Sequence, residues 1–312
     1  MGPTDLIGRY RRFLKRRSCS VHTVRNYINI LGRFIGWLQM PIEDVTIRET
    51  DAYMDQLLRN RKKPKTINCH FGCIHAFYDY LIEDERMSLI NPVRKNYRLR
   101  LPRPLPKHLR DEQVTALFRE INDTRDRAMF MLMLRCGLRV QEVAQLTIDS
   151  IEYRRRQLYV LNGKGGKDRV VYLSEDAQTV LEQYMKKRKW SKQKRVFLVQ
   201  KGQLKGTPIS VRGIQKRIEY YAGKAEIEVS CHHLRHTMAT QLLNADADLV
   251  TIQDLLGHSK ITTTQCYCRV SNLKVQRDYY KAIDVVLQRT LPISENVPKS
   301  TKRGLQKPVL TS

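Results

Sequence analysis

The sequence lacks any long apolar run: nowhere among its 312 residues do 18 apolar residues follow one another. A membrane-spanning helix needs about 20 such residues, so the sequence offers no candidate for one. The N-terminal segment MGPTDLIGRYRRFLKRR also lacks the apolar core and small-residue cleavage site of a secretory signal. We therefore expect a soluble protein that stays in the cytoplasm and has no membrane partner.

The cysteines do not suit a disulfide framework. There are seven, an odd number, at irregular spacing, which predicts free thiols in a reducing compartment. One stretch, CHFGCIH, places Cys69 four residues before Cys73 with His70 and His75 beside them, so a zinc site is one alternative. We favour a core helix there, because the apolar residues of the same stretch recur at helical spacing.

Acidic residues are scarce relative to basic ones. The chain has 57 Lys and Arg against 31 Asp and Glu, for a net charge of +26. Solubility alone needs a net charge of only about 2 to 8 in a small domain. Positive charge spread along periodic, foldable sequence indicates a long polyanion as partner, and nucleic acid fits this better than a membrane surface.

Helical patterns dominate the first hundred residues. They cover SVHTVRNYINILGRFIGWL (20–38), IRETDAYMDQLLRN (47–60) and KTINCHFGCIHAFYDYLIED (65–84). The next stretch, NPVRKNYRLRLPRPLPKHL (91–109), holds four prolines and many basic residues, which ends the helical pattern and predicts a linker. The predicted organisation is a helical domain over 1–96, a linker over 97–109, a second domain over 110–289 and a tail over 290–312.

The second domain combines helices with one hairpin. Helical patterns cover 111–121, 126–146 with an interruption near Gly137, and then about 175–189, 211–223, 233–244, 248–256 and 271–288. The segment QLYVLNGKGGKDRVVYL (157–173) predicts two strands around a glycine-rich turn. That turn lacks the spacing of a phosphate-binding P-loop and is followed by a strand. The expected fold is mainly α, with a small antiparallel sheet in an α+β second domain.

The densest cluster of chemically capable residues is CHHLRHTMATQ, residues 231–241. On a helix, His232, Arg235 and His236 share one face. A zinc protease would have glutamate after the first histidine, and position 233 is His. An arginine would also repel a cation, whereas arginine with imidazole donors suits an oxyanion such as phosphate. We therefore expect no metal at this site.

Other candidates lie in separate segments. Arg139 stands in the apolar run CGLRVQEVAQL, with Glu142 three residues on as an available partner. Lys164 lies at the hairpin tip NGKGGKDR, with Lys167 as the fallback. The last segment, LLGHSKITTTQCYC, contains His258 and Tyr267, each of which has an ordinary structural explanation when taken alone.

Taken in order, these segments resemble the motifs of the tyrosine recombinase (lambda-integrase) family. The resemblance rests on GLRVQEVAQL, GKGGKDR, HHLRHTMATQLL and LLGHSKITTTQCY, and is closest to the compact Xer-like and transposon or phage integrase members. The N-terminal helices are similar to the core-binding, SAM-like DNA-binding domain of that family. The second domain would then be its catalytic domain.

The resemblance implies a role for each candidate. Tyr267 would attack the scissile phosphate and form a 3′-phosphotyrosyl link, with no cofactor or metal. Arg139 and Arg235 would neutralise the phosphate oxygens, and Lys164 would protonate the leaving 5′-oxygen. His232 and His258 would either hydrogen-bond the phosphate or assist proton movement to and from Tyr267. His233 and His236 would be structural.

The resemblance also implies the partners. The substrate would be double-stranded DNA with paired recombination sites, held by a homo-tetramer in a four-stranded complex, with an accessory or partner recombinase as a further possibility. Residues 271–312 are the segment expected to contact a neighbouring protomer. The alternative is a type IB topoisomerase, which relaxes a single duplex by similar chemistry. The short chain and the helical N-terminal domain favour the recombinase.

Overall fold

The computed structural model describes residues 3–102, 104, 106–161, 168–188, 192–258, 260–268, 277, 279–280, 282–284 and 286. The chain divides into two compact units, one ending at Pro104 and one formed by the residues that follow. Each unit has its own cluster of buried apolar side chains. None of the described helices is both long and apolar enough to cross a membrane.

The first unit is helical. Its helices are α1 (Pro3–Arg16), α2 (Val21–Trp37), α3 (Ile47–Arg59) and α4 (Pro64–Glu83). The hydroxyl of Ser20 accepts a hydrogen bond from the backbone N–H of Thr23 and caps α2, while Thr46 and Glu49 form a capping box at the start of α3. The three predicted helices of this unit are thereby confirmed, and α1 adds a fourth.

The CHFGCIH stretch lies within α4 and packs as a core helix. Cys73 is 2% exposed, in a cluster with the neighbouring apolar residues of α4. His70 hydrogen-bonds to the hydroxyl of Tyr53, and His75 pairs with Asp79 on the same helix. Within the described residues no three His, Cys, Asp or Glu side chains are grouped so as to hold a metal ion.

The second unit combines helices with a small sheet. Its helices are α5 (Asp111–Glu120), α6 (Thr124–Arg135), α7 (Val140–Gln145), α8 (Glu175–Lys187), α9 (Val211–Lys224), α10 (Cys231–Asn244), α11 (Leu249–Leu256) and α12 (Ile261–Thr264). Its strands are β1 (Ile151–Glu152), β2 (Gln157–Val160) and β3 (Arg169–Tyr172), antiparallel in the order β1-β2-β3.

The predicted fold class, mainly helical with a small antiparallel sheet, is confirmed. The two predicted strands are present as β2 and β3, while β1 is an addition, because two residues carry no detectable alternation. The hairpin turn at 162–167, most of the helix predicted over 271–288, and the tail lie outside the described residues.

Helix α6, most of whose residues are buried, packs against α8 and α10. It ends before Gly137, whose φ of +64° is a left-handed conformation that glycine adopts most readily. A Cβ at this position would lie 3.0 Å from the Leu256 side chain and 3.1 Å from Met238 Sδ. Glycine therefore lets the chain pass close to α10 and α11 and turn, so that Arg139 stands at the start of α7.

Candidate active site

The side chain of Arg235 lies at the centre of the site. It projects from α10, is 1% exposed, and donates hydrogen bonds to the carbonyl oxygens of Gly137 and Leu256. Burial, reinforced by the nearby charge of Arg139, lowers its pKa to about 9, which still leaves it charged at neutral pH. Within the described part of the chain no carboxylate forms an ion pair with it. A buried cation held by carbonyl oxygens in this way is suited to an incoming anion.

Arg139 reaches the same place from the start of α7. Its Nη1 donates to Glu142 Oε1 at 2.8 Å, and its backbone N–H donates to Glu142 Oε2 at 2.7 Å. Its Nη2 lies 3.3 Å from the carbonyl oxygen of Gly257, in the loop that precedes His258. The side chain is 22% exposed, so part of the guanidinium group remains accessible to a ligand.

A third arginine, Arg169 of β3, shares the carboxylate of Glu142. Its two terminal nitrogens donate to the two carboxylate oxygens at 2.8 Å each, and its Nε donates to the carbonyl oxygen of Leu255 at 2.9 Å. Burial disfavours the charged carboxylate, but the hydrogen bonds and charges of Arg169 and Arg139 outweigh burial and lower the pKa of Glu142 to about 2. Glu142 therefore fixes two arginines at once.

The local charge favours an anionic ligand. Three guanidinium groups, those of Arg139, Arg169 and Arg235, face the single carboxylate of Glu142, which leaves two positive charges in excess. A cavity of about 540 Å³ lies against Arg139 and Arg235 and is also lined by the ion pair of Arg212 and Glu219, which leaves the excess charge unchanged. A phosphate group entering this cavity meets fixed, partly desolvated donors.

Tyr267 is buried beside the arginines. Its side chain is 1% exposed, and its hydroxyl lies 2.7 Å from Nδ1 of His236. Burial raises the pKa of the phenol to about 12, with Cys266 contributing, while the charges of Arg235 and Arg139 act in the opposite direction. The tyrosine is therefore protonated at neutral pH, and its proton lies next to an imidazole.

The other histidines surround this pair. The ring of His232 stands edge-on to that of His236, with centroids 4.3 Å apart. The ring of His258 lies nearly parallel to that of Tyr267 at 6.5 Å, and its Nδ1 is 2.9 Å from Thr264 Oγ1. Burial and the neighbouring positive charges lower the pKa values of His236 and His258 to about 4, so both are neutral at pH 7.

The structure thus gathers most of the residues that the sequence singled out. Arg139, His232 and Arg235 line this cavity, and the ring of Tyr267 contacts the rings of His236 and His258. Lys164 and its fallback Lys167 lie outside the described residues.

Two residues play a larger part than the sequence indicated. His236, expected to be structural, is the histidine that hydrogen-bonds to Tyr267, and the signal was its position four residues after His232 on the same helix face. Arg169 was not singled out; a charged residue on a short strand beside the glycine-rich turn was the available signal.

Comparison with known proteins identifies the family of the chain. Residues 107–274 match the model of the phage integrase family, and residues 6–87 match the phage integrase N-terminal SAM-like domain. The chain belongs to the phage integrase family, whose members are tyrosine recombinases. The resemblance drawn from its motifs is therefore confirmed.

Relatives match along most of their length. Tyrosine recombinase XerA of Thermococcus kodakarensis is 30% identical over 282 residues, covering 90% of this chain and 96% of that protein. Tyrosine recombinase XerD of Pseudomonas putida is 34% identical over 272 residues, covering 84% and 91%. These shares include both compact units.

Solved structures share the fold. A Tn1549 transposon integrase in complex with transposon right end DNA aligns with a TM-score of 0.70 at 20% identity, covering 84% of this chain and 94% of that one. A lambda integrase dimer bound to a COC' core site aligns with a TM-score of 0.69 at 18% identity, covering 86% and 95%. The helical unit followed by a mixed unit is thus an arrangement shared with these integrases.

Proposed function

We propose that this recombinase is site-specific and cuts and rejoins DNA strands through a 3′-phosphotyrosyl intermediate. The observation that carries the proposal is the phenol of Tyr267, buried beside Arg139 and Arg235 in a cluster with two excess positive charges. The Xer recombinases among its relatives, and the integrase structures with bound DNA that share its fold, support DNA as the substrate.

The arginines would act on the phosphate. A phosphodiester resists attack because its anionic oxygens repel nucleophiles, and charge on those oxygens rises further in the transition state. Arg139 and Arg235 would donate to the two non-bridging oxygens, with Arg235 already desolvated and fixed by carbonyl oxygens. Because the donors are held in place before the substrate arrives, little reorganisation opposes the reaction.

Tyr267 would supply the nucleophile. Its phenol oxygen bonds to phosphorus as the bond from phosphorus to the 5′-oxygen breaks, and Lys164 donates a proton to that leaving oxygen. The phosphodiester is exchanged rather than hydrolysed, so the reverse attack by a 5′-hydroxyl restores DNA without ATP. We assign no metal to the reaction, because the guanidinium groups repel a cation from the place where the phosphate binds.

The assembly follows from the same proposal. Residues 1–96 would bind DNA as the core-binding domain, 97–109 would be the linker, and 110–289 would carry catalysis. Exchange between two duplexes needs four active sites, so we propose a homo-tetramer on paired sites in the cytoplasm. The protomers would contact one another through their C-terminal residues, and a partner recombinase would be an optional component. The positive charge of +26 fits a protein that follows DNA phosphates, and binding should weaken steeply with salt.

Covalent trapping tests the proposal. On a duplex nicked beside the cleavage point, the short 5′-hydroxyl strand diffuses away, so the protein–DNA adduct accumulates. Tyr267→Phe removes one oxygen and should abolish the adduct while leaving DNA binding unchanged. Tyr220→Phe, at an exposed tyrosine of α9, is the matched control and should form the adduct normally. Equal trapping by Tyr267→Phe would refute the assignment.

Product analysis separates the recombinase from the topoisomerase. Two paired sites on different DNA molecules should yield recombinant products with joined flanks. Relaxation of a supercoiled plasmid that lacks paired sites, with no exchange of flanks, would instead support single-duplex relaxation of the type IB kind.

A further inference from the structure

We propose that His236 takes the proton of Tyr267 during strand cleavage and returns it during rejoining. This inference rests on the proposed function, since it assigns a partner to the same nucleophile. It differs from the expectation drawn from the sequence, in which His232 and His258 either hydrogen-bond the phosphate or assist the proton movements and His236 is structural.

His236 contacts the nucleophile directly. Nδ1 of His236 lies 2.7 Å from the Tyr267 hydroxyl, within the range that a general base needs. Neither of the other two histidines makes such a contact in the described part of the chain. Nδ1 of His258 is engaged with Thr264 Oγ1, and the ring of His258 lies parallel to the tyrosine with a centroid distance of 6.5 Å. His232 meets His236 rather than the tyrosine.

The protonation state of His236 also suits a base. His232 and His233 precede it on α10, Arg235 is its neighbour in sequence, and His258 follows α11, so the surroundings of His236 are cationic or neutral. Burial is the main cause that keeps the imidazole of His236 neutral at pH 7, and the charge of Arg235 adds to it, which leaves a nitrogen able to accept the tyrosine proton. His233 also has a lowered pKa and is itself uncharged at pH 7. An anionic phosphate bound by the arginines would offset their charge and make the imidazolium easier to form as the reaction starts.

Each proton has a donor and an acceptor in both steps of the reaction. As the phenol oxygen bonds to phosphorus, the proton on that oxygen moves to Nδ1 of His236, giving an imidazolium. The bond from phosphorus to the 5′-oxygen breaks with its electron pair, and the proton from Lys164 completes the 5′-hydroxyl. In rejoining, an incoming 5′-hydroxyl returns its proton to the lysine, and the imidazolium returns its proton to the departing phenolate oxygen.

His236→Asn is the decisive variant. The asparagine amide oxygen takes roughly the place of Nδ1 and can accept the same hydrogen bond, but it does not take up a proton near neutral pH. A group that merely orients Tyr267 is replaced adequately by asparagine, whereas a base is not. The matched control is His233→Asn, which makes the same chemical change three residues earlier on α10. His233 is half-buried, and its charged neighbours are Lys107 and Glu228.

The Tyr267→Phe variant is first used to select a binding site from random DNA. The rate of adduct formation is then measured on a nicked duplex that contains this site. We expect His236→Asn to bind this DNA as the unsubstituted chain does and to cleave it about 100-fold more slowly, and His233→Asn to cleave it normally. Cleavage by His236→Asn at the unsubstituted rate would overturn the assignment. The melting temperatures and DNA affinities of His236→Asn and His236→Gln are measured together with their rates. A slow rate with unchanged melting temperature and affinity then reports the chemical step and not a loss of folding.

A second substrate tells the attacking side from the leaving side. Replacing the bridging 5′-oxygen by sulfur gives a leaving group that needs no proton, because thiols ionise with a pKa of about 8.5. This substrate should restore cleavage by Lys164→Ala and leave His236→Asn slow. Rescue of His236→Asn would place His236 on the leaving-group side and refute the proposal. Failure of the proposed function has a different signature, because the unsubstituted chain would then form no adduct on either substrate.

Discussion

Replacing Glu142 by glutamine removes the carboxylate that binds Arg139 and Arg169. Its side chain is only 9% exposed and accepts four hydrogen bonds from these two residues, at 2.7 to 2.8 Å. The change leaves two partly buried guanidinium groups without their counter-ion, a loss that costs up to about 3–5 kcal/mol when a buried pair is broken. The pKa gives a similar figure, because a fall from 4.5 to about 2 corresponds to about 3 kcal/mol of stability.

The pH dependence follows from the direction of that shift. Since the folded-state pKa of Glu142 lies below its ordinary value of 4.5, the stabilisation is complete above pH 4.5 and is lost as the pH falls toward 2. Glutamine does not titrate, so the difference in stability between the two proteins should be constant from pH 7 to about pH 5 and should narrow below that.

Urea unfolding followed by far-UV circular dichroism measures the difference. The matched control is Glu219→Gln, which breaks an ion pair of the same type with Arg212, but one whose side chains are more than half exposed. Exposed pairs contribute at most about 1 kcal/mol, so the control should unfold almost as the original chain does. Equal stability of Glu142→Gln and Glu219→Gln at pH 7 would refute the reasoning that a shared carboxylate holds the two arginines.

Two further predictions concern the elements that frame the site. Gly137→Ala should destabilise the protein by at least about 1–2 kcal/mol in urea unfolding, because alanine is unfavourable at φ +64° and its Cβ would crowd Leu256 and Met238. The control is Gly223→Ala in α9, where a Cβ would have no neighbouring atom within 4 Å, and this change should not destabilise the protein. Equal losses of stability in the two variants would contradict this explanation. Arg235→Lys should slow adduct formation about 100- to 1,000-fold with DNA binding retained. Two separate guanidinium nitrogens donate to the carbonyl oxygens of Gly137 and Leu256, and the single nitrogen of a lysine does not reproduce this planar fork. An unchanged rate would exclude Arg235 from that role.

Helix starts and stops were predictable because their causes are local. Ser20 caps the helix that begins one residue later, and the interruption expected near Gly137 coincides with its left-handed backbone between α6 and α7. The two hairpin strands were predictable from alternation over several residues. Strand β1 was not, because its two residues are defined only by pairing with β2.

The contacts within the site depend on tertiary structure. The pairing of Glu142 with Arg139 was predictable, because the two residues are three apart in the sequence. The pairing of Glu142 with Arg169, which is 27 residues further along the chain, depends on the position of β3. The contact between His236 and Tyr267 joins residues 31 apart and depends on how the segment after α11 packs against α10. No periodicity or spacing in the sequence encodes such distances.

The family pattern itself directed attention away from one residue. The motif His-x-x-Arg selects His232 and Arg235, and a histidine directly after the arginine then reads as part of the scaffold. On a helix, the residues three and four positions after His232 lie on the same face as His232. Both Arg235 and His236 can therefore reach the site. In the structure, His236 is the residue that hydrogen-bonds to Tyr267.

The most direct test of the account is to locate the covalent bond. After trapping on the nicked duplex and digestion with trypsin and nuclease, mass spectrometry should find the nucleotide on the peptide ITTTQCYCR, residues 261–269, in which Tyr267 is the only tyrosine. Fragmentation should place the added mass on that tyrosine. An adduct on Tyr279 or Tyr280, which are 58% and 55% exposed, or the absence of any adduct, would contradict the assignment of Tyr267 as the nucleophile.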